Sequence, residues 1–230
     1  MERLILFDID GTLLSAAGAA GGPFRSALLR VFGTSGPRSG YSFAGRTDPQ
    51  IARDLLALGG IPREVADEKL ELVWEIYLAG LRETLREREV TVLPGVRELL
   101  DELEAEPTVI LGLLTGNLRE GARLKLEAAG LGFERFRVGA FGSDHADRPE
   151  LPAVAIRRAE ERFGHRFSGK SVVIIGDTPL DIACGEHLGV RTIAVATGNY
   201  RSEELAACGP DHVFESLEDR EAVRRAIWGE

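Results

Sequence analysis

Few residues of this chain could form disulfide bridges or bind a soft metal ion. Its 230 residues include two cysteines, Cys184 and Cys208, and four scattered histidines with no His-x-x-x-His or paired-cysteine spacing. A disulfide framework and a zinc site are therefore not indicated. Two isolated cysteines are typical of reduced, structural thiols, which predicts a cytoplasmic protein.

The chain also lacks long apolar runs and an excess of basic charge. No apolar stretch approaches the roughly 20 residues that a membrane-spanning helix needs. The apolar start at residues 4–7 is cut by Asp8 and Asp10, unlike a signal peptide. The formal net charge is −9, and an acidic surface repels the phosphate backbone of nucleic acids. We therefore expect neither a membrane protein nor a nucleic-acid-binding protein, and an anionic substrate would need local positive charge in its pocket.

Apolar residues are nevertheless plentiful, and most of them follow a strand-and-helix pattern. Hydrophobic residues make up 44% of the chain, which is enough for a buried core. Short apolar runs of strand length alternate with helical periodicity, and these runs lie at residues 3–9, 108–114, 137–141, 171–175 and 191–196. Because alternating strands and helices form parallel sheets covered on both faces, the sequence predicts a doubly wound α/β core.

Between the first and second apolar runs the periodicity is helical throughout. Apolar residues recur at helical spacing in three segments, of which the last and longest covers residues 64–88. We therefore expect an α/β core domain, residues 1–15 and 90–230, interrupted by an all-helical domain, residues 16–89.

Acidic and polar side chains follow three of the predicted strands. They are Asp8, Asp10, Thr115, Asn117, Asp177 and Asp181. In parallel sheets the ligand site lies beyond the carboxyl ends of the strands. Two carboxylates two residues apart on an extended chain project to the same side, and a hard cation such as magnesium relieves their repulsion. The alternative is that these acids only cap a strand end and stabilise the helix that follows.

The ordered motifs resemble those of the haloacid dehalogenase-like hydrolase superfamily. Asp-Ile-Asp-Gly-Thr at residues 8–12 is similar to its first motif, Leu-Leu-Thr-Gly-Asn at residues 113–117 to its second, and Ile-Ile-Gly-Asp-Thr-Pro-Leu-Asp at residues 174–181 to its fourth. The helical block lies where that superfamily inserts its cap, so the resemblance covers nearly the whole chain. It implies a Rossmann-like sheet with an inserted helical cap, within the group of phosphoglycolate phosphatase and β-phosphoglucomutase.

The resemblance implies a magnesium-dependent phosphatase that hydrolyses a small phosphate monoester through an aspartyl-phosphate. Asp8 would be the nucleophile. Asp10 would act as general acid and then as general base, and its backbone carbonyl would also bind Mg²⁺. The metal ligands implied are thus Asp8, Asp10 and Asp177, with Asp181 either behind them or only stabilising the first turn of the next helix.

The phosphate-binding residues implied by the resemblance come from two further segments. Thr115, with the amides around Gly116 and Asn117, would hold the phosphoryl oxygens at a helix N-terminus; alternatively, Asn117 only caps that helix. The superfamily also places a Lys or Arg before its last motif, and Arg148 lies at about that place. Lys125 is the rival, although it lies two turns along a helix.

The helical cap carries the candidate for substrate choice. Gly-Arg-Thr-Asp at residues 45–48 resembles the substrate-contacting loop of related caps, so Arg46 could bind a second anionic group. The alternative is that Thr47 or Asp48 caps a helix while Arg46 points to water.

Several functions share these motifs. The substrate expected is a small phosphorylated metabolite, such as phosphoglycolate or a sugar phosphate, and the protein a monomer or homodimer. A phosphosugar mutase would keep every motif, whereas a dehalogenase would need neither Mg²⁺ nor Asp10. A phosphonatase would need a Schiff-base lysine in the cap, where Lys69 is the one candidate. A non-catalytic binding protein would not need Asp8 and Asp10.

Overall fold

The chain folds around a central sheet that is parallel throughout. The computed structural model describes residues 2–230. Its strands, in chain order, are β1 (Arg3–Phe7), β2 (Leu14–Ser15), β3 (Thr91–Val92), β4 (Val109–Thr115), β5 (Val138–Phe141), β6 (Val172–Gly176), β7 (Arg191–Val195) and β8 (His212–Phe214). Six of them form the main sheet in the order β5–β4–β1–β6–β7–β8, and each neighbouring pair is parallel. The predicted α/β core is confirmed.

Helices cover both faces of this sheet. In chain order they are α1 (Gly21–Phe32), α2 (Asp48–Leu58), α3 (Arg63–Asp67), α4 (Leu70–Glu87), α5 (Val96–Glu104), α6 (Arg119–Ala128), α7 (Leu151–Phe163), α8 (Pro179–Cys184), α9 (Ser202–Ala206) and α10 (Arg220–Trp228). Because side chains alternate along a strand, Ile5 and Phe7 of β1 join the apolar cluster with α5, α6 and α10, while Leu4 and Leu6 join the cluster with α7. The sheet is therefore doubly wound, as predicted.

The helices α1 to α4 form an insertion after the first strand of the sheet. They lie between β2 and β3, which pair antiparallel, with Leu14 opposite Val92. The two connections to the core therefore run side by side. The helices share an apolar centre, where the Phe24 and Tyr77 rings are 5.0 Å apart. The predicted domain division, at residues 15/16 and 89/90, falls beside the β2–β3 pair and stays a prediction.

The predicted long helix over residues 64–88 is wrong in one respect, because the structure breaks it into α3 and α4. At the break, Lys69 has φ −120° and ψ 4°, outside the helical range. The buried residues Ala66, Leu70 and Val73 continue the helical spacing across the break, so periodicity could not reveal it. Within residues 2–230, no helix combines the length and the apolar character that a membrane span requires.

Candidate active site

The carboxyl ends of β1, β4 and β6 open into a cavity of about 590 Å³. Its core side is lined by residues that follow these strands, and the helical insertion covers it with Phe43, Arg46 and Ile51. The core side includes the predicted residues Asp8, Asp10, Thr115, Gly116, Asn117, Arg148 and Asp177. The structure thus brings these predicted residues to one cavity together with Arg46 of the insertion, whereas Asp181 is not among the residues that line it within residues 2–230.

Asp8 lies at the base of this cavity, directly after β1. Its side chain is buried, its backbone N–H donates to the carbonyl of Ile175 at 3.0 Å, and a guanidinium nitrogen of Arg148 is 3.3 Å from its Oδ1. Burial raises the pKa of Asp8 to about 6, and the charge of Arg148 opposes that rise. Asp8 therefore combines an inward-facing carboxylate with a cation that favours its ionised form.

Asp177 lies close to Asp8, and the pKa of its carboxyl group is also raised. Burial, together with the charges of Asp181 and Asp8, raises the pKa of Asp177 to about 8. The hydroxyl of Thr12 donates to Asp177 Oδ1 at 3.0 Å. A Cβ added at Gly198 would lie 1.8 Å from Asp177 Oδ2, so only glycine lets the loop after β7 approach this carboxylate.

The donor set around these acids fits a hard cation. Carboxylate oxygens of Asp8, Asp177 and Asp181 lie within 4.8 Å of one another. Buried carboxylates this close repel each other, and oxygen ligands suit Mg²⁺. Asp181 is already engaged, because Oδ1 pairs with Arg148 and Oδ2 accepts from Thr178 N–H at 3.0 Å. Asp8 pairs through Oδ1 with Arg148 and Asp177 accepts through Oδ1 from Thr12, so each could offer its other oxygen to an ion.

Arg148 lies in a short 3-10 turn, Arg148–Glu150, and its side chain is buried beneath the site. It donates to the carbonyl of Gly45 at 3.0 Å and pairs with Asp181 and Asp8. Burial disfavours its charge, yet the two carboxylates outweigh burial and hold the pKa of Arg148 above its usual value. Asp181 therefore serves as the charge partner of Arg148 and also caps the first turn of α8 through Thr178.

Asp10 occupies the outer part of the cavity and faces different partners. Its side chain is 43% exposed, and its Oδ2 lies 2.5 Å from Lys125 Nζ and 2.8 Å from Asn117 Nδ2. Lys125 Nζ also donates to Asn117 Oδ1 at 2.6 Å. Two turns along α6, the Lys125 side chain therefore reaches back to the site. Both candidate cations therefore lie in the site, Arg148 beside Asp8 and Lys125 beside Asp10.

The loop after β4 is held from several sides. The interpretation of Asn117 as a helix cap is wrong, because Leu118 is the N-cap residue of α6 and makes no side-chain cap bond. The Asn117 amide instead donates to Asp10 and, at 2.8 Å, to Thr115 Oγ1. Thr115 and Asn117 thus line the cavity near the N-terminal end of α6, where binding of an anion is favoured.

The cap loop before α2 meets this same segment. Thr47 is the N-cap of α2, since its side chain accepts from Gln50 N–H at 3.2 Å, so its predicted capping role is confirmed. Arg46 does not simply point to water, because it lines the cavity, lies 3.6 Å from Asp54 Oδ2 and stacks 5.4 Å from the Tyr41 ring centroid. Lys69 is not among the residues that line the cavity within residues 2–230.

Two residues of the site, Asp48 and Thr197, are not predicted as site residues by the sequence. Asp48 is buried and accepts from Leu118 N–H at 2.8 Å, and burial raises its pKa to about 6 against the charge of Lys125. Nothing in its spacing distinguishes it from a helix-start residue. Thr197 lies after β7 and donates to the carbonyl of Gly11 at 2.6 Å. The rule that polar residues follow strands would have found it.

Known proteins are similar to this chain in sequence and in fold. The family of haloacid dehalogenase-like hydrolases matches residues 5–186. The chain is 26% identical over 238 residues to the protein of Dickeya dadantii named "Probable phosphatase IndB", covering 99% of this chain and 95% of that protein. It is 25% identical over 224 residues to a phosphoglycolate phosphatase of Pseudomonas fluorescens, covering 94% and 78%. A crystal structure titled "predicted phosphoglycolate phosphatase" from Haemophilus somnus aligns with a TM-score of 0.70 at 22% identity, covering 97% and 98%.

Proposed function

The chain belongs to the haloacid dehalogenase-like hydrolase family, and we propose that it is a magnesium-dependent phosphatase acting through an aspartyl-phosphate on Asp8. The observation that carries this proposal is the division of the site into two carboxylates with different partners. Asp8 is buried against Arg148, whereas Asp10 is half-exposed and held by Lys125 and Asn117. Asp8 thus suits attack on phosphorus, and Asp10 suits proton transfer at the cavity mouth.

The reaction proceeds in two steps that use these acids in turn. In the first, an oxygen of ionised Asp8 attacks phosphorus, the ester P–O bond breaks, and Asp10 gives a proton to the departing oxygen. In the second, Asp10 takes a proton from a water molecule as the water oxygen attacks phosphorus. The acyl phosphate P–O bond breaks, which releases inorganic phosphate and regenerates the Asp8 carboxylate.

The phosphoryl group would be bound by the loop after β4. Thr115 and Asn117 face the cavity at the N-terminal end of α6, where helix amides and dipole attract anions. Arg148 contributes a buried positive charge beneath Asp8. In a protein of net charge −9, this local positive charge offsets the field that would otherwise repel a phosphate ester.

Asp8, Asp177 and the backbone carbonyl of Asp10 would hold Mg²⁺. A bound Mg²⁺ would neutralise charge on the phosphoryl oxygens and on the crowded carboxylates. Thr12 orients Asp177 through the hydrogen bond to Oδ1. The close packing of Gly198 against Asp177 Oδ2 shields the same carboxylate from one side.

The substrate would be a small phosphorylated metabolite of the phosphoglycolate or sugar phosphate type. Curated relatives of this chain include phosphoglycolate phosphatases. The insertion closes the cavity with Phe43, Ile51 and Arg46, so the leaving group would meet two apolar side chains and one cation. We assign residues 16–89 to a cap domain that selects this leaving group and residues 1–15 and 90–230 to the catalytic core.

The decisive experiment removes the nucleophile. Asp8→Asn keeps the shape of the side chain but cannot form the acyl phosphate, so hydrolysis of p-nitrophenyl phosphate with Mg²⁺ should fall at least a thousandfold, the order seen when a covalent nucleophile is lost. EDTA should abolish wild-type turnover. Asp101→Asn, at an exposed acid paired with Arg135 far from the site, is the control and should stay active. An Asp8→Asn variant with more than a few per cent of wild-type activity would exclude covalent catalysis on Asp8.

A further inference from the structure

Lys125 is a buried cation that the proposed reaction does not require. It lies on α6, and its side chain is only 4% exposed. Its ammonium group donates to Asp10 Oδ2 at 2.5 Å and to Asn117 Oδ1 at 2.6 Å. Burying an ammonium group is costly unless its protons are hydrogen-bonded and its charge is paired. The placement therefore indicates a specific task at Asp10.

We propose that Lys125 is a positioning residue that aligns Asp10 for proton transfer to the leaving group. This inference rests on the proposed phosphatase function. Lys125 acts through Asp10 and does not need to touch the substrate. Its role is thereby separate from that of Arg148, which pairs with Asp8 and Asp181 at the base of the cavity.

The hydrogen bonds fix which oxygen of Asp10 is available. Oδ2 accepts from both Lys125 Nζ and Asn117 Nδ2. Within residues 2–230, no hydrogen bond engages Oδ1 of Asp10. Two donors on one oxygen restrict rotation of the carboxyl group, so Oδ1 is the oxygen that can carry the transferred proton. Proton transfer depends on such alignment within hydrogen-bond reach of the reacting oxygen.

Asn117 ties this arrangement to the phosphate-binding loop. Its Oδ1 accepts from Lys125, and its Nδ2 donates to Asp10 and to Thr115 Oγ1. The orientation of the amide is thus set by partners on both sides. The Lys125 ammonium is the buried end of this network, and Asp10, 43% exposed, is the end that faces the cavity. The network therefore holds a fixed spacing between Asp10 and the phosphoryl group.

The cap places a second carboxylate near the same ammonium. Asp48 is buried beside the loop, and the charge of Lys125 opposes the rise that burial causes in the pKa of Asp48. The positive charge of Lys125 therefore acts on Asp48 of the cap as well as on Asp10 of the core.

The test uses leaving groups that differ in their need for a proton. In the full-length protein with Mg²⁺, kcat/KM is measured for p-nitrophenyl phosphate, phenyl phosphate and ethyl phosphate, because kcat/KM reports the step that forms the aspartyl-phosphate. A nitrophenolate leaves without protonation, whereas an alkoxide depends on the general acid. Lys125→Met should lose at least tenfold more with ethyl phosphate than with p-nitrophenyl phosphate, a part of the 10²–10⁴-fold that general acid catalysis contributes.

Two further variants separate positioning from other roles. In an Asp10→Asn background, Lys125→Met should cause no additional dependence on the leaving group, because the two residues act as one unit. If circular dichroism shows that Lys125→Met does not fold, Lys125→Gln, which keeps a hydrogen-bond donor, takes its place. An equal loss on all three substrates, with a matching rise in the inhibition constant of inorganic phosphate, would assign Lys125 to phosphate binding and overturn the inference.

Failure of the proposed function has a different signature. If wild type and Asp8→Asn turn over these esters equally, the phosphatase mechanism is wrong whatever Lys125 does. If wild type is active and Asp8→Asn is inactive, but Lys125→Met leaves all three kcat/KM values unchanged, only the role of Lys125 is rejected.

Discussion

At the scale of single residues, three buried carboxylates share one small volume at Asp8, Asp177 and Asp181. Burial is the largest cause of the rise in the pKa of Asp8 to about 6 and of Asp177 to about 8, and the charges of the neighbouring acids add to it. A protein keeps such acids together when a cation joins them or when protons do. Arg148 neutralises part of the charge, and under the proposed function the remaining negative charge should make the site responsive to pH and to Mg²⁺.

These pKa values predict how the stability of the metal-free protein depends on pH. Unfolded aspartate has a pKa of about 3.9, so between pH 4 and pH 8 the folded state holds protons that the unfolded chain has released. The free energy of unfolding contributed by Asp8 and Asp177 therefore falls as pH rises through this window. Mg²⁺ competes with the same protons, so its stabilising effect should grow with pH.

The measurement is the shift of Tm on adding Mg²⁺. At about 100 times its Kd, an ion adds about 2.7 kcal/mol, which for a chain of this size is roughly 5–10 °C in Tm. We expect a shift of this order at pH 8 and less than half of it at pH 5. Asp177→Asn should remove the shift and raise the Tm of the metal-free protein at pH 8. A shift that is equal at both pH values, or that survives in Asp177→Asn, would rule out this pair as the metal site.

The residues that follow strands could be identified from the sequence with their roles, whereas Lys125, on a helix, could be named only as a rival of Arg148 and not placed beside Asp10. Asp8, Asp10, Thr115 and Asp177 follow apolar runs, and parallel strands bring their carboxyl ends to one edge. Lys125 lies ten residues after Thr115, and its usefulness depends on which way its long side chain turns from α6. That direction is set by Asp10 and Asn117 across the cavity, which one-dimensional spacing does not encode.

At the scale of elements, the N-terminus of α2 is joined to the loop that follows β4. Asp48 N–H donates to the carbonyl of Gly116 at 2.8 Å, and its Oδ2 accepts from Leu118 N–H at 2.8 Å. A Cβ added at Gly116 would lie 2.1 Å from the carbonyl oxygen of Arg46, so the two backbones are in direct contact. The insertion therefore helps to shape the loop after β4, to which we assign phosphate binding.

Removal of the Asp48 carboxylate should loosen this loop. Asp48→Ala leaves Leu118 N–H without its acceptor, and a hydrogen bond to a charged group is worth about 1.5–3 kcal/mol. We expect kcat/KM to fall by about tenfold for every substrate, including p-nitrophenyl phosphate, because the loop serves the phosphoryl group common to all. Asp48→Asn keeps an acceptor and should lose less.

Asp67→Ala is the matched control for this variant. Asp67 belongs to the same insertion, and among residues 2–230 it pairs with the partly exposed Arg53 and the largely exposed Arg63. Its removal should change stability by about 1 kcal/mol at most and leave kcat/KM unaltered. Full activity in a folded Asp48→Ala variant would show that the loop keeps its shape without the cap.

Long apolar strands were predictable at this scale, while short or weakly buried elements were not. The five strands β1, β4, β5, β6 and β7 coincide with predicted runs to within two residues at each end. The edge strand β8 has three half-buried residues, too few for a distinct run. The pair β2–β3 has two residues on each side, and it exists only because chain segments some 76 residues apart return to one place.

At the scale of the whole molecule, the insertion rests on the core through several contacts, two of which involve helices of the insertion. One is the contact of α2 with the loop after β4. The other joins α4 to α6, where Arg82 lies 3.2 Å from Glu120 Oε1 and Leu78 and Leu81 pack over Gly121. The cavity is lined by residues of both the insertion and the core, so a substrate in it would be enclosed by both parts of the chain. Enclosure by a cap allows selection by the distal end of the substrate.

Under the proposed function, Arg46 is the cation that the insertion would offer to that distal end. It lines the cavity, yet at 3.6 Å from Asp54 it makes only a loose pair, and it is partly exposed. Arg46→Ala should therefore lose about 1.5–3 kcal/mol of transition-state binding with phosphoglycolate, whose carboxylate can replace Asp54 as the partner. With ethyl phosphate, which has the same two carbons but no second charge, the loss should be small.

The comparison of kcat/KM for both substrates in wild type and variant isolates this contribution, because differences in the core cancel. Arg53→Ala provides the control. Arg53 is also a cap arginine, but it pairs with Asp67 at 2.7 Å and does not line the site cavity within the described residues 2–230. Removing either arginine makes the net charge more negative by one, so a purely long-range effect would weaken phosphoglycolate hydrolysis equally in both variants. A loss specific to Arg46 and to the carboxylated substrate would locate selectivity in a direct contact. An equal loss on both substrates would instead place Arg46 at the phosphoryl group or in the docking of the cap.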